Sequence, residues 1–84
     1  MAGYHLADIP RGHYGYPSKI LEEVAEFEDA IRQCNPVMAL TELADIIGAI
    51  EGYLDYHTSI TFDDLVIMKD ATRRAFESGH RKSR

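Results

Sequence analysis

Apolar residues recur every three or four positions along most of this chain, which is the period of an amphipathic helix. The pattern predicts three helices, over residues 18–34, 36–57 and 62–78. Their apolar stripes consist of Ile20, Val24, Phe27 and Ile31, then Leu40, Leu43, Ile47, Ile50 and Leu54, then Leu65, Met68, Thr72 and Phe76. No segment has the two-residue period of a strand, so we predict an all-α protein.

Residues typical of helix ends lie at the predicted boundaries. Ser18 is a good N-cap for the first helix. Asn35 and Pro36 end that helix and begin the second, with Asn35 as its N-cap and Pro36 at its first position. Thr61 and Asp64 resemble a capping box at the start of the third helix.

The rest of the chain divides into an arm and a short tail. Residues 1–17 contain three glycines and two prolines, which predicts an irregular N-terminal arm. Residues 18–79 would form the helical domain, and residues 80–84 a basic tail. The arm is rich in Tyr and His, and two interpretations stay open. These rings pack over the end of the helices, or one of them stacks on a planar ligand.

A chain of 84 residues forms at most one domain and buries only about 60–65% of its unfolded surface. Its core is therefore marginal, and we expect self-association to complete it. Cys34 is the single cysteine, and a lone thiol suits the reducing cytoplasm. The first residues lack the charged and apolar regions of a signal peptide, and no apolar run approaches the ~20 residues of a membrane span. We therefore expect a cytoplasmic protein with no membrane partner.

The charges are distributed unevenly along the chain. The net charge of −5 argues against a nucleic-acid partner, because such proteins need a basic surface. Residues 20–57 hold nine acids and one base, whereas residues 65–84 hold six bases and two acids. An acidic centre followed by a basic segment could bind a cation and an anion together. Alternatively, the opposite charges of the two surfaces could neutralise each other.

Two pairs of carboxylates stand out in the acidic part. Glu23 and Glu26 are three residues apart on the first helix, and Glu42 and Asp45 have the same spacing on the second. At about 100° per residue, each pair lies on one side of its helix at the margin of the apolar stripe. If the stripes pack together, the pairs converge, and converging carboxylates suit a hard divalent cation such as Mg²⁺. Glu28 and its neighbour Asp29, in contrast, are expected to be ordinary solvated charges.

Other kinds of metal or phosphate site lack their sequence patterns here. A di-iron bundle needs Glu-x-x-His on two of its helices, and neither acidic helix carries that motif. The calcium loop of EF-hands, the Cys/His spacings of zinc sites and a Gly-rich phosphate loop are also missing from the sequence.

The acidic motifs read Glu-Glu-Val-Ala-Glu over residues 22–26 and Glu-Leu-Ala-Asp over residues 42–45. Together they match the pattern E-E-x-x-E…E-x-x-D, which resembles the MazG-type all-α NTP pyrophosphohydrolases. Relatives of that family include all-α dUTPases and phosphoribosyl-ATP pyrophosphohydrolase. The similarity covers roughly residues 19–54. It implies a Mg²⁺-dependent enzyme, with Mn²⁺ as an alternative ion, that hydrolyses an NTP or dNTP to the monophosphate and pyrophosphate.

The resemblance also implies roles for individual acids. The metal ligands would be Glu23, Glu26, Glu42 and Asp45. The catalytic residues would be Glu22 and Glu23. Glu22 would orient or deprotonate the attacking water, or it would bind a second ion.

Positive and aromatic side chains are candidates for substrate binding. Lys19 lies on the same side of the first helix as Glu23, where it either contacts phosphates or forms an ordinary salt bridge. Lys69 and Arg73 share a face of the third helix and loosely match positions where family members carry Lys, Asn or Arg. Tyr53 either lines a base pocket or is a core aromatic residue.

The resemblance bears on assembly as well, since family members form dimers or tetramers. The pattern predicts no fourth long helix in this chain, so we expect a homodimer or homotetramer that completes a four-helix-type bundle. Two other functions stay open. One is a phosphoribosyl-ATP pyrophosphohydrolase-like enzyme with the same metal chemistry, and the other is a non-catalytic helical interaction or regulatory module.

Overall fold

The structure is a computed structural model that describes residues 5–77, apart from the side chains of Ala75 and Phe76. Three helices occupy this part of the chain: α1 (Pro17–Arg32), α2 (Pro36–His57) and α3 (Phe62–Glu77). None of these three is long and apolar enough to cross a membrane. The described residues contain no strand, so the all-α prediction is confirmed. The predicted tail at 80–84 and the predicted burial of Phe76 lie outside the described residues.

Helix α1 begins one residue earlier than predicted. Pro17 occupies its first turn, and Tyr16 is the N-cap residue without a side-chain hydrogen bond to the helix. Proline starts a helix well because its φ is already near the helical value and it has no N–H to satisfy. The prediction that Ser18 is the N-cap is therefore wrong. Its Oγ accepts a hydrogen bond from the backbone N–H of His13 in the arm, at 3.0 Å.

The predicted caps of the other two helices are confirmed. Helix α1 ends at Arg32, earlier than predicted, because the chain turns at Cys34, which has a left-handed φ of 55°. Asn35 then caps α2, since its Oδ1 accepts a hydrogen bond from the N–H of Met38 at 3.0 Å. At the start of α3, the N–H of Asp64 donates to Oγ1 of Thr61 at 3.2 Å, and the N–H of Thr61 donates to Asp64 at 3.0 Å. These two bonds form the capping box.

Helices α1 and α2 make the main contact of the structure, and α3 stands largely apart. Within the described part of the chain, α3 touches α2 at few positions and does not touch α1. The buried residues of α1 and α2 are mostly small or acidic: Ala30, Ala39, Ala49, Gly52 and Leu54, with Glu22, Glu23, Asp29 and Glu42. Burying a charged side chain costs free energy unless the charge is paired, so the stability of this contact depends on what the buried acids bind.

The predicted apolar stripes are only partly buried. On α2, Leu40 is 68% exposed, and Leu43 and Ile47 are each 42% exposed. On α1, Val24 and Ile31 are exposed as well. The expected burial is therefore wrong for these five residues, which we call the exposed stripes. The two helices meet along their small and acidic sides, roughly a third of a turn away from the stripes.

The described part of the arm, residues 5–16, packs against the helices. The ring of Tyr14 lies against Gly52 of α2, and the rings of Tyr14 and Tyr16 meet Tyr56 edge to face at centroid distances of 6.0 and 6.1 Å. Gly15, at a φ of 92°, lies against the ring of Tyr56, where a Cβ would lie 2.7 Å from ring carbons. The prediction that rings of the arm pack over the helices is confirmed for these tyrosines.

Candidate metal centre

The two predicted carboxylate pairs come together between α1 and α2. Carboxylate oxygens of Glu23, Glu42 and Asp45 all lie within 4.8 Å of one another, and so do those of Glu22, Glu23 and Glu26. Glu23 belongs to both groups and joins the pair on α1 to the pair on α2. The predicted convergence is therefore confirmed, whereas the role of these residues as metal ligands stays a prediction.

Two of these carboxylates carry a buried oxygen without a hydrogen-bond partner. Glu23 is 6% exposed and Glu42 is 5% exposed. The Oε1 atom of each is buried and has no partner among the described residues. A buried polar atom left unsatisfied costs roughly 1–3 kcal/mol, and more when it is charged. A bound cation would remove that cost, so the two oxygens indicate a site for a positive ligand.

The crowding of the carboxylates changes their acidity. Burial, together with the nearby Glu23 and Glu42, raises the pKa of Glu26 to about 7. Burial also raises the pKa of Glu42, and the hydrogen bond with His5 offsets only part of that effect. Near neutral pH the cluster therefore shares a proton that a cation can replace.

Glu22 is held in a different environment from the other acids. Its Oε1 accepts hydrogen bonds from the backbone N–H of Gly12 at 2.8 Å and from Nζ of Lys19 at 3.2 Å. Burial opposes ionisation of Glu22, but these two donors lower its pKa below the usual value. Lys19 also lies 3.2 Å from Oε2 of Glu23, so the predicted salt bridge is present. Contact of Lys19 with a phosphate stays a prediction.

The arm brings a histidine into the same cluster. Nδ1 of His5 lies 2.9 Å from Oδ2 of Asp29, and Nε2 of His5 lies 3.1 Å from Oε2 of Glu42. Burial alone would lower the pKa of His5, but the two carboxylates raise it above its usual value. Ligand atoms of His5, Glu26 and Glu42 also lie within 4.8 Å of one another.

Asp29 has a different role from the predicted one. It is 3% exposed, and it accepts hydrogen bonds from the backbone N–H groups of Leu6 and Ala7 at 3.1 and 3.3 Å, in addition to the bond with His5. Burial opposes ionisation, but these donors hold the pKa of Asp29 below its usual value. The prediction of a solvated charge is wrong for Asp29, whereas the neighbouring Glu28 is exposed as expected.

A cavity of about 490 Å³ opens onto the cluster. This volume falls within the range of small-molecule pockets, roughly 300–1,000 Å³. All five acids of the two motifs line the cavity, together with Lys19 and Arg11. Val37, Met38 and Thr41, from the first turns of α2, also line it. Carboxylates and cationic side chains face one space, so this cavity suits a cation together with an anionic ligand.

Three predicted substrate-binding residues do not line this cavity. Lys69 and Arg73 form ion pairs with neighbouring acids on the exposed surface of α3. Tyr53 packs its ring against His57 at a centroid distance of 4.7 Å. In their place the arm supplies Arg11, which the sequence pattern did not indicate because an irregular segment has no periodicity that assigns its residues to a face.

Comparisons with known proteins do not identify a family for this chain. No protein-family model matches it, and no curated protein or solved structure matches it either. The resemblance to MazG-type enzymes is therefore carried by the acidic motif and the all-α architecture alone.

Proposed function

We propose that this protein is a metal-dependent nucleotide pyrophosphohydrolase that uses Mg²⁺, with Mn²⁺ as an alternative ion. Its substrate would be an NTP or dNTP, and its products the nucleoside monophosphate and pyrophosphate. One observation carries the proposal: two carboxylate pairs meet, with unpartnered buried oxygens on Glu23 and Glu42, at a cavity that also contains Lys19 and Arg11.

The acids that would hold the ion are Glu23, Glu26, Glu42 and Asp45. Carboxylate oxygens are the ligands that Mg²⁺ prefers in proteins, where it usually keeps some of its waters. A metal ion in such a site polarises phosphoryl oxygens and lowers the pKa of a bound water. The two unpartnered oxygens support this assignment, because a cation beside them would satisfy both.

Glu22 would position the attacking water. Its lowered pKa keeps it ionised at neutral pH, so it can accept a proton or a hydrogen bond from water. The donors from Gly12 and Lys19 both end on Oε1 and fix the orientation of the carboxylate. Phosphoryl transfer depends mainly on positioning and electrostatics, so a carboxylate with a fixed orientation suits this role.

Lys19 and Arg11 would offset the negative charge of the triphosphate. Burial alone would lower the pKa of Lys19, but Glu23 and Glu22 raise it above its usual value and keep the amine charged. Arg11 is exposed and lines the cavity, and a guanidinium can bind phosphate oxygens through two parallel hydrogen bonds. The arm would thus contribute directly to substrate binding.

The proposal is tested by measuring pyrophosphate release from canonical and damaged NTPs and dNTPs in Mg²⁺ or Mn²⁺. We expect the wild type to hydrolyse at least one of them and Asp45→Asn to be inactive. Asp45 is exposed, so this change removes a ligand charge without disturbing buried packing. Asp55→Asn, at another exposed acid of α2, is the matched control and should retain full activity. The absence of pyrophosphate release from the whole panel would contradict the proposal.

Phosphoribosyl-ATP belongs in the same panel, because an enzyme for that substrate would use the same metal ligands. Turnover of phosphoribosyl-ATP alone would favour that alternative. A chain that binds the metal and hydrolyses nothing would instead be a non-catalytic helical module.

We also propose that the chain assembles with a second copy of itself through the exposed stripes. Rows of large aliphatic side chains on a helix surface are typical of interaction sites. A second copy supplies an identical row, and a two-fold axis brings such rows together. Helices α1 and α2 of two chains would then form a four-helix bundle.

A further inference from the structure

We propose that His5 is a ligand of the metal centre through Nε2, that Asp29 orients its ring, and that the centre therefore favours a divalent transition ion such as Mn²⁺ or Zn²⁺ over Mg²⁺. This inference rests on the metal centre of the proposed function, and it adds a nitrogen ligand from the arm. The acidic motif contains neither of the two residues.

The orientation of the imidazole ring supports this role. A carboxylate can only accept hydrogen bonds, so Nδ1 of His5 donates to Asp29 across their 2.9 Å contact. Nε2, on the other side of the ring, faces Oε2 of Glu42 at 3.1 Å, so an ion bound there would replace the proton that lies between these two atoms and release it to solvent. Metal-binding histidines commonly donate their second nitrogen to a carboxylate in this way, which fixes the tautomer and makes the ligand more basic.

The distances also fit one shared ion. Two ligand atoms bound about 2.1 Å from one ion at right angles lie about 3.0 Å apart. Nε2 of His5 lies 3.1 Å from Oε2 of Glu42, and ligand atoms of His5, Glu26 and Glu42 all lie within 4.8 Å of one another. The second oxygen of Glu42 is buried and has no partner, so a ligand atom is available beside the ring.

The arm is anchored at this position rather than resting loosely on the surface. Three donors from consecutive residues, His5, Leu6 and Ala7, end on the carboxylate of Asp29. Asp29 also accepts a bond from Nε2 of Gln33 at 2.8 Å, which fixes its own rotamer. A buried carboxylate with this many donors holds the ring in place before any ion binds.

The ligand set decides which ions are favoured. Carboxylates suit Mg²⁺ and Mn²⁺, whereas imidazole nitrogen is a better ligand for transition ions. With Glu26, Glu42 and His5 as ligands, the centre combines both types. Removal of His5 should therefore weaken transition-ion binding far more than Mg²⁺ binding.

The test measures binding of the metal alone, by calorimetry on the full chain without nucleotide. We expect the wild type to bind Zn²⁺ and Mn²⁺ more tightly than Mg²⁺. His5→Ala should weaken Zn²⁺ binding by about 10- to 100-fold, and Asp29→Asn, which changes the hydrogen-bond partner of the ligand and keeps the ligand itself, by about 10-fold. Mg²⁺ binding should change by less than about threefold in His5→Ala. His13→Ala, at an exposed histidine of the same arm, is the control and should bind all three ions as the wild type does.

A second measurement needs no substitution. A few per cent of Mn²⁺ added to the wild type should broaden the ring proton signals of His5 in NMR spectra before those of His13 and His57. Uniform broadening of the three rings would contradict ligation by His5.

The remaining outcomes separate this inference from the proposed function. Unchanged or tighter Zn²⁺ binding by His5→Ala would overturn the inference. His5 would then either make no contact with the ion or compete with it for the carboxylates. Failure of the wild type to bind any of the three ions would overturn both the inference and the metal centre of the proposed function. Binding through His5 without hydrolysis of any nucleotide would uphold the inference and contradict the proposed function.

Discussion

Nε2 of His5 lies 3.1 Å from Oε2 of Glu42, although 37 residues separate the two along the chain. This contact joins an irregular arm to an acidic cluster that two helices build. The charge of the cluster and the position of the arm therefore depend on each other, and a change to either should affect both.

The stability of the metal-free protein should fall as the pH rises from about 5 to about 8. The pKa of Glu26 is about 7 in the folded state against 4.5 ordinarily, because burial disfavours its charged form and because Glu23 on α1 and Glu42 on α2 face it. The folded state holds a proton that the unfolded chain releases, so the free energy of unfolding decreases through this window. The pKa of His5, the arm residue in the cluster, is also raised above its usual 6.5. As the pH rises above that value, loss of the proton on His5 lowers the free energy of unfolding further.

Thermal melts in a chelator at several pH values measure this dependence. Below about pH 5 stability should fall again, because the lowered pKa values of Glu22 and Asp29 contribute stability only while these acids are ionised. Saturating Mg²⁺ should reverse the trend between pH 5 and 8, since metal binding competes with protons. Metal-free stability that rises steadily from pH 5 to 8 would contradict the prediction.

Glu42→Gln should abolish pyrophosphate release and yet stabilise the metal-free fold at pH 8. The amide removes a buried negative charge and can donate to a neighbouring carboxylate, so we expect a gain of roughly 1–3 kcal/mol. Urea denaturation in a chelator measures the gain. Asp45→Asn, at the exposed member of the pair, should also abolish turnover but change stability by less than about 0.5 kcal/mol. A destabilised Glu42→Gln would contradict the prediction, because loss of the charged contact with His5 would then outweigh the relief of carboxylate repulsion.

Asp29→Ala should detach the arm, whereas Glu28→Ala should not. Asp29 is buried and accepts hydrogen bonds from His5, Leu6 and Ala7, while Glu28 is exposed and has no such partners. Loss of Asp29 should cost roughly 1–3 kcal/mol and make the arm sensitive to limited proteolysis. Equal protease sensitivity of the two variants would contradict the anchoring role.

Two glycines one turn apart on α2 should respond to alanine in opposite directions. A Cβ at Gly48 meets nothing within 4 Å, so Gly48→Ala should stabilise the helix by about 0.5–1 kcal/mol. A Cβ at Gly52 would lie 2.6 Å from the ring of Tyr14 and force it away from Tyr56, so Gly52→Ala should lower stability. Urea denaturation of both variants tests the packing of the arm, and similar gains for both would contradict it.

A charge placed in the exposed stripes should dissociate the proposed assembly. Leu40→Glu puts a carboxylate where two copies would meet, so the mass measured by light scattering should fall to that of one chain. Ser59→Glu adds the same charge in the exposed connection before α3 and should leave the mass unchanged. A wild type that is already monomeric at high concentration would contradict assembly through the stripes.

The caps of α2 and α3 are predicted correctly because each one is formed by residues that lie close together in the sequence. Asn35, Thr61 and Asp64 cap helices through bonds to residues three positions away, so their partners can be identified from spacing alone. The carboxylates of Glu23 and Glu42 do converge, but α1 and α2 bring them together by meeting along their small and acidic sides, whereas the prediction relied on packing of the apolar stripes.

Other features depend on partners that no local pattern specifies. The donors to Asp29 come from an arm 22 to 24 residues earlier, and that arm has no periodicity. The sequence also predicts the wrong side for the contact between α1 and α2, because an apolar stripe indicates only that a helix buries one face. It does not indicate whether the same chain covers that face, which is why Leu40 is exposed here.

The burial of acids in place of large aliphatic side chains affects how a single chain folds. Among the described residues, the buried apolar side chains are three alanines and Leu54, and no large side chain is completely enclosed. Apolar burial is the main favourable term in folding, so a lone chain has little to set against its conformational entropy. If assembly supplies the missing burial, folding and association become one reaction whose midpoint depends on protein concentration. Dilution alone, without heat or denaturant, is then expected to unfold this protein.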